Sequence, residues 1–107
     1  MKFIPKKIHN SFIVEIEKNE DERGFFARTY DVNEFKKYGL NSKIVQCNIN
    51  YTKKKGTVKG LHYQKTPFEE AKLIRCIRGS VYSVIVDLRP DSPTYKQSES
   101  VILSENE

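Results

Sequence analysis

No stretch of this sequence is long and apolar enough to cross a bilayer as a helix, so no membrane partner is expected. The opening residues, Met1 to Phe12, are basic but lack the apolar centre of a secretory signal. Cysteine is scarce. Cys47 and Cys76 have neither metal-ligand spacing nor the pattern of a disulfide framework. Two free thiols fit a reducing cytoplasm, and both are expected as small buried hydrophobes. No His, Cys and Glu cluster has the spacing of a metal site, so no metal is expected. Internal repeats and low-complexity tracts are also missing. A chain of 107 residues has room for one domain and not for two.

What the sequence does have is positive charge. The formal net charge is +5, the isoelectric point about 9.2 and the mean hydropathy -0.64. A basic surface attracts polyanions, among them nucleic acids and nucleotide phosphates; a solvated lysine-rich face is the plainer reading. The run Lys53-Lys54-Lys55 and the nearby Tyr51 and Tyr63 would suit a nucleic-acid surface. The basic residues are spread over several segments, however, and no nucleic-acid partner is expected.

Local patterning points to short strands. Phe12 to Glu17 alternates apolar and acidic residues, as a strand with one buried face does. Asn19 to Glu22 reads as a polar turn, and Gly24 to Tyr30 as a second strand. Asp31 can cap a short helix with Val32, Phe35 and Tyr38 on one face and Gly39 as its stop. Lys43 to Tyr51 and Thr57 to Tyr63 read as strands around a basic turn. Ala71 to Arg78 and Val81 to Leu88 read as a hairpin joined at Gly79-Ser80. A proline-containing loop, Arg89 to Tyr95, leads into a last strand from Gln97 to Leu103. Several short strands with close turns define an all-β sandwich or barrel with one short helix.

Three sets of residues could carry chemistry. His62 shares a strand face with Val58 and Gly60, and Gly60 leaves space beside the imidazole for a ligand. An imidazole can take a proton from a carbon acid; the alternative is a histidine held by a structural hydrogen bond. Lys72 opens an apolar strand, where an ammonium could hold an anion or an enolate oxygen, or reach solvent. Arg23, Arg28, Lys59, Arg75 and Arg78 could meet phosphate oxygens or serve as surface charges. Lys59 and His62 fall on opposite faces of an ideal strand. Both can touch one ligand only if the strand is bulged or a second subunit contributes.

Several stretches resemble one family when taken in order. They are Asp21-Glu22-Arg23-Gly24-Phe25-Phe26, Val45-Gln46-Cys47-Asn48, Gly56 to Gln64, Lys72-Leu73-Ile74-Arg75, Val86 to Tyr95 and Leu103 to Asn106. Together they resemble the dTDP-4-dehydrorhamnose 3,5-epimerases. The resemblance implies a cupin-like double-stranded β-helix, a jelly-roll barrel that works as a homodimer without a cofactor. It implies a dTDP-linked 4-keto-6-deoxy sugar as substrate, on the route to dTDP-rhamnose. By position, His62 matches the base and Lys72 the residue that steadies the enolate oxygen. Arg23, Gln46 and Asn48 match substrate contacts. Lys59 stands where the family has an arginine near the pyrophosphate, keeping the charge and losing the fork.

The chain departs from the family in three respects. Arg28, counted with the substrate-binding candidates, stands where a glutamate is usual. Ser83 stands where an aspartate is common. The His-x-His pair of metal-binding cupins is absent. The family's tyrosine acid and base-orienting aspartate are expected beyond Glu107, so residues 1–107 are read as one domain forming the N-terminal part of the barrel, cut short. Two alternatives follow: a non-catalytic nucleotide-sugar-binding remnant, and a related sugar ketoisomerase.

Overall fold

Every assigned strand lies in one of three antiparallel pairs, with a single short helix between the second and third. The structure is a computed structural model and describes residues 1–106. The chain divides into two units, Met1–Ser42 with Ile74–Glu107, and Lys43–Leu73.

In the first unit, β1 (Lys2–Pro5) pairs with β2 (Phe12–Glu15), setting Phe3 opposite Val14 and Ile4 opposite Ile13. β1 was not legible as a strand, because its apolar pair Phe3-Ile4 is bracketed by Lys2 and Pro5. β3 (Asn19–Asp21) and β4 (Gly24–Phe26) form a small hairpin. This corrects the expectation of a polar turn from Asn19 to Glu22. The turn itself is Glu22-Arg23, because the Asp21 carboxylate accepts the Arg23 amide at 2.8 Å and pins the reversal there.

Helix α1 (Val32–Lys37) begins where expected. Asp31 Oδ1 accepts the amides of Asn33 and Glu34 at 2.9 and 3.1 Å, satisfying two of the helix's unpaired donors. The helix stops at Gly39, whose φ of +67° takes the left-handed turn while its amide bonds Lys36 O. The helix buries Phe35 against β1, where its ring lies 5.3 Å from Phe3 and nearly perpendicular to it. Tyr38 stacks on Phe3 at 4.3 Å, and Phe12 and Tyr30 close the cluster. Phe3, Ile8 and Phe35 are the buried apolar core.

β5 (Ser80–Val86) pairs with β6 (Ser98–Ser104), not with Ala71 to Arg78. Gly79-Ser80 is therefore no hairpin turn. Gly79 begins the β5–β6 ladder, donating its amide to Glu105 Oε2 at 2.7 Å and accepting the Glu105 amide at 3.0 Å. At the other end Asp87 N bonds Gln97 O at 2.9 Å, and Lys96 N bonds Asp87 O at 2.7 Å. The intervening loop is thus closed by backbone pairs that fix the register.

The second unit has turns at Lys54–Gly56 and Thr66–Pro67 but no strand or helix among the described residues. The strands expected over 43–51, 57–63 and 71–78 are not formed. Their alternation is suited to a ladder, but a ladder needs a neighbouring strand to take its N–H and C=O groups. Among the described residues no strand pairs with them, and Val45, Ile49 and Val58 are 79%, 82% and 88% exposed. Cys47 is exposed and Cys76 half-buried, so the expected burial of both thiols does not hold. The whole is an all-β chain with one short helix; no closed barrel is present among the described residues.

Candidate functional site

In the Lys43–Leu73 unit, Gly60 and His62 lie in close contact. Gly60 has φ +84°, a conformation that favours glycine. A Cβ at Gly60 would stand 3.0 Å from His62 Nδ1 and 3.3 Å from the His62 amide nitrogen. The missing side chain therefore makes room for this chain's own imidazole. The positive φ at Gly60 departs from an ideal strand, so Lys59 and His62 need not fall on opposite faces.

Lys59 is positioned by its neighbours. Its Nζ donates to Asn50 Oδ1 at 2.7 Å and Thr52 Oγ1 at 3.0 Å, which ties the Asn50–Thr52 stretch to the strand-like segment leading to His62. Gln46, Asn48, His62 and Lys72 are exposed, with no side-chain hydrogen bond among the described residues. Five sequence-derived candidates thus lie in one unit: Gln46, Asn48, Lys59, His62 and Lys72.

Arg23 and Arg28 lie in the other unit, and each is already paired. Arg23 Nη2 meets Asp21 Oδ2 at 2.5 Å. This contact holds the Asp21 carboxyl below its ordinary range and the guanidinium above its own. Arg28 Nη1 meets Asp31 Oδ2 at 3.0 Å, so the helix cap also anchors this arginine. The Glu34 amide is the main influence lowering the Asp31 carboxyl; burial opposes it, and the Asn33 amide and Arg28 add to it. Arg28 faces a shallow cleft of about 450 Å³ that it shares with Glu17, Glu34 and Phe26. Arg23 borders another of about 310 Å³ with Asp21, Phe25 and Phe26.

A further constellation escaped the sequence reading. Asp87 is 3% exposed. Its Oδ1 accepts the Arg89 amide at 3.0 Å and Arg89 Nε at 2.9 Å. Its Oδ2 accepts Arg89 Nη2 at 3.0 Å, Ser92 Oγ at 2.5 Å and Thr94 Oγ1 at 2.7 Å. The Arg89 side chain and then the Ser92 hydroxyl drive the Asp87 carboxyl far below its ordinary value, against burial. The same loop grips the Lys6–Ser11 turn: Arg89 Nη2 donates to His9 O at 2.6 Å, and Thr94 Oγ1 accepts the His9 amide at 3.0 Å. The D-x-R-x-x-S-x-T spacing was the available signal; every donor lies within seven residues of the carboxylate. Among the described residues, no group of three His, Cys, Asp or Glu side chains gathers to hold a metal ion.

A family model described as dTDP-4-dehydrorhamnose 3,5-epimerase matches residues 5–107. The dTDP-4-dehydrorhamnose 3,5-epimerase of Methanothermobacter thermautotrophicus is 38% identical over 104 residues, covering 97% of this chain and 55% of its own. The crystal structure of the Bacillus anthracis enzyme, with TDP and PPi bound, superimposes with a TM-score of 0.92 at 40% identity, over 98% of this chain and 60% of that one. The Legionella pneumophila enzyme, in complex with dTDP-4-keto-L-rhamnose, gives a TM-score of 0.87 at 35% identity, over 98% and 55%. Fold and sequence together put the chain in a family of sugar-nucleotide epimerases. It belongs to the dTDP-4-dehydrorhamnose 3,5-epimerase family. The chain spans about half the length of the curated relatives it matches.

Proposed function

We propose that this chain supplies the base-bearing part of a cofactor-independent 3,5-epimerase site for a dTDP-linked 4-keto-6-deoxy sugar. The observation that carries the reading is the family match over residues 5–107, which takes in both His62 and Lys72. In this reading His62 accepts the proton from the carbon next to the C4 ketone. The C–H electron pair moves into a C–C double bond while the carbonyl π pair moves onto oxygen. The Lys72 ammonium stabilises that oxyanion where charge develops. A proton delivered from solvent to the opposite face of that carbon, as the oxyanion pair returns to the carbonyl, inverts the centre. Gln46, Asn48 and Lys59 contact the nucleotide sugar; Arg23 and Arg28 are further candidates for substrate binding. Residues 1–107 act as a single cupin-type domain within a cytoplasmic homodimer.

The test is solvent exchange. The full chain is incubated with dTDP-4-keto-6-deoxyglucose in deuterium oxide, and the sugar is followed by proton NMR. Loss of the C3 or C5 proton signal, abolished by His62→Ala, is the expected result. Intact substrate binding with no deuterium at either carbon would leave a nucleotide-sugar binder and overturn the catalytic reading. A product with its ketone on a different carbon would make the chain a ketoisomerase.

A further inference from the structure

The chain's positive charge is not spread evenly. Between Lys43 and Leu73 stand seven lysines against Glu69 and Glu70, a surplus of five that equals the net charge of the whole chain. The other unit balances twelve basic residues against twelve acidic ones. No acidic residue occurs anywhere between Glu34 and Glu69.

The two units also differ in the ion pairs around their basic residues. In the balanced unit Lys2, Lys6, Arg23, Arg28, Lys37 and Arg89 each meet a carboxylate. In the lysine-rich unit Lys53, Lys54 and Lys55 are exposed and form no ion pair among the described residues. Their turn is not slack. Thr57 Oγ1 donates to Lys54 O at 2.7 Å, and Gly56 takes φ +79° to close the reversal. Two residues beyond, Lys59 is anchored on Asn50 and Thr52. A fixed basic turn thus projects charge from the unit that also holds Lys59, His62 and Lys72.

Uncompensated charge of one sign sets up a field that reaches well past contact distance at low salt. We infer that Lys53, Lys54 and Lys55 steer an anionic nucleoside diphosphate toward this unit, raising its association rate without touching it in the bound state. The inference rests on the nucleotide-sugar reading above, and adds that capture is electrostatically driven by residues outside the proposed site. It also revises the expectation that the basic residues are too dispersed to act together.

The test is stopped-flow binding of 3′-mant-dTDP to the full chain, with uncharged 3′-mant-thymidine as control. Raising ionic strength from about 10 mM to about 300 mM is expected to slow dTDP association about tenfold and to leave thymidine unaffected. The K53Q/K54Q/K55Q variant is expected to associate with dTDP about three- to tenfold more slowly at low salt, with an unchanged dissociation rate. The K7Q/K36Q/K96Q variant, which removes equal charge from the balanced unit, is expected to slow it less. Equal slowing by both triple variants would put the effect in net charge alone and overturn the assignment. So would dTDP association that is indifferent to salt and to all six lysines, with the nucleotide site left standing. Failure of dTDP to bind at any salt would remove the nucleotide reading and steering together.

Discussion

Asp87 and Arg89, two residues apart, are locked side by side through both carboxylate oxygens, Nε to Oδ1 at 2.9 Å and Nη2 to Oδ2 at 3.0 Å. The pair is a structural clasp. It closes the loop between β5 and β6, and through Arg89 Nη2 it reaches the His9 carbonyl in the turn between β1 and β2. Asp87→Ala would strip the acceptor from five hydrogen bonds at once, so its thermal midpoint should fall by about 5 °C or more. Ser92→Ala, which removes one of those bonds, should cost less than half as much. Differential scanning calorimetry of the two variants checks the order; an equal loss would mean the clasp is not centred on Asp87.

Acid should release the same clasp. Asp87 titrates in the folded chain far below the ordinary aspartate value of 3.8. The folded state therefore holds fewer protons than the unfolded one in that range, and stability rises with pH there. The contribution is complete above about pH 5 and is lost as pH falls below about 4 toward the folded-state value. Asp21 and Asp31 shift in the same direction and add to the slope. Urea midpoints measured from about pH 6 down to about pH 2 should drop steeply for the native chain and less steeply for Asp87→Asn.

Asp31 should separate capping from charge. Asn caps a helix about as well as Asp, whereas Ala does not. Asp31→Asn keeps an acceptor for the Asn33 and Glu34 amides and loses the ion pair to Arg28; Asp31→Ala loses both. The expected order of thermal midpoints is native, then Asn close below it, then Ala lower by about 3–6 °C. A fall as large for Asn as for Ala would transfer the role from the cap to the Arg28 pair.

What the sequence made legible follows from how local each interaction is. The cap at Asp31, the buried Phe35 and the stop at Gly39 are decided within one turn of helix, and all three were readable. β2, β5 and β6 were readable because their apolar alternation finds a partner within the same unit. The pairing itself was not: Val81 to Leu88 could have turned back on either flank. The backbone bonds between Asp87, Lys96 and Gln97 decide in favour of β6. The alternating stretches around Ile49 and Val58 have the strand pattern without a neighbour, and pattern alone cannot supply one. Among the candidate site residues, the glycine beside His62 was legible, but its space is taken by the imidazole itself and not by a ligand. The pairing of Arg23 and Arg28 with nearby aspartates was missed because each was weighed as an isolated charge.

The aromatic cluster should dominate the stability of its unit. Phe35 is 5% exposed and packs edge-on against Phe3 and tilted against Tyr30 at 4.9 Å. Phe35→Ala would leave a cavity between α1 and the β1–β2 pair and should destabilise by about 3 kcal/mol in urea unfolding. Val32→Ala, on the same helix but 40% exposed, should cost well under half of that. Similar losses for the two would mean that α1 is not held by Phe35.

Gly60→Ala is the sharpest probe of the proposed chemistry. The added methyl would sit 3.0 Å from His62 Nδ1 and 3.3 Å from the His62 amide, at a backbone φ of +84° that alanine resists. The imidazole and the His62 backbone must give by a few tenths of an ångström, and the positive φ adds strain. A base displaced by a few tenths of an ångström loses about tenfold in rate, since proton transfer depends on near-contact geometry. Deuterium incorporation at C3 and C5 should therefore fall by about that factor in Gly60→Ala, less than the loss in His62→Ala. The affinity for dTDP, set by other groups, should stay within about threefold. Exchange at the native rate in Gly60→Ala would separate His62 from the glycine beside it, and would leave Lys59 and Lys72 as the groups to test next.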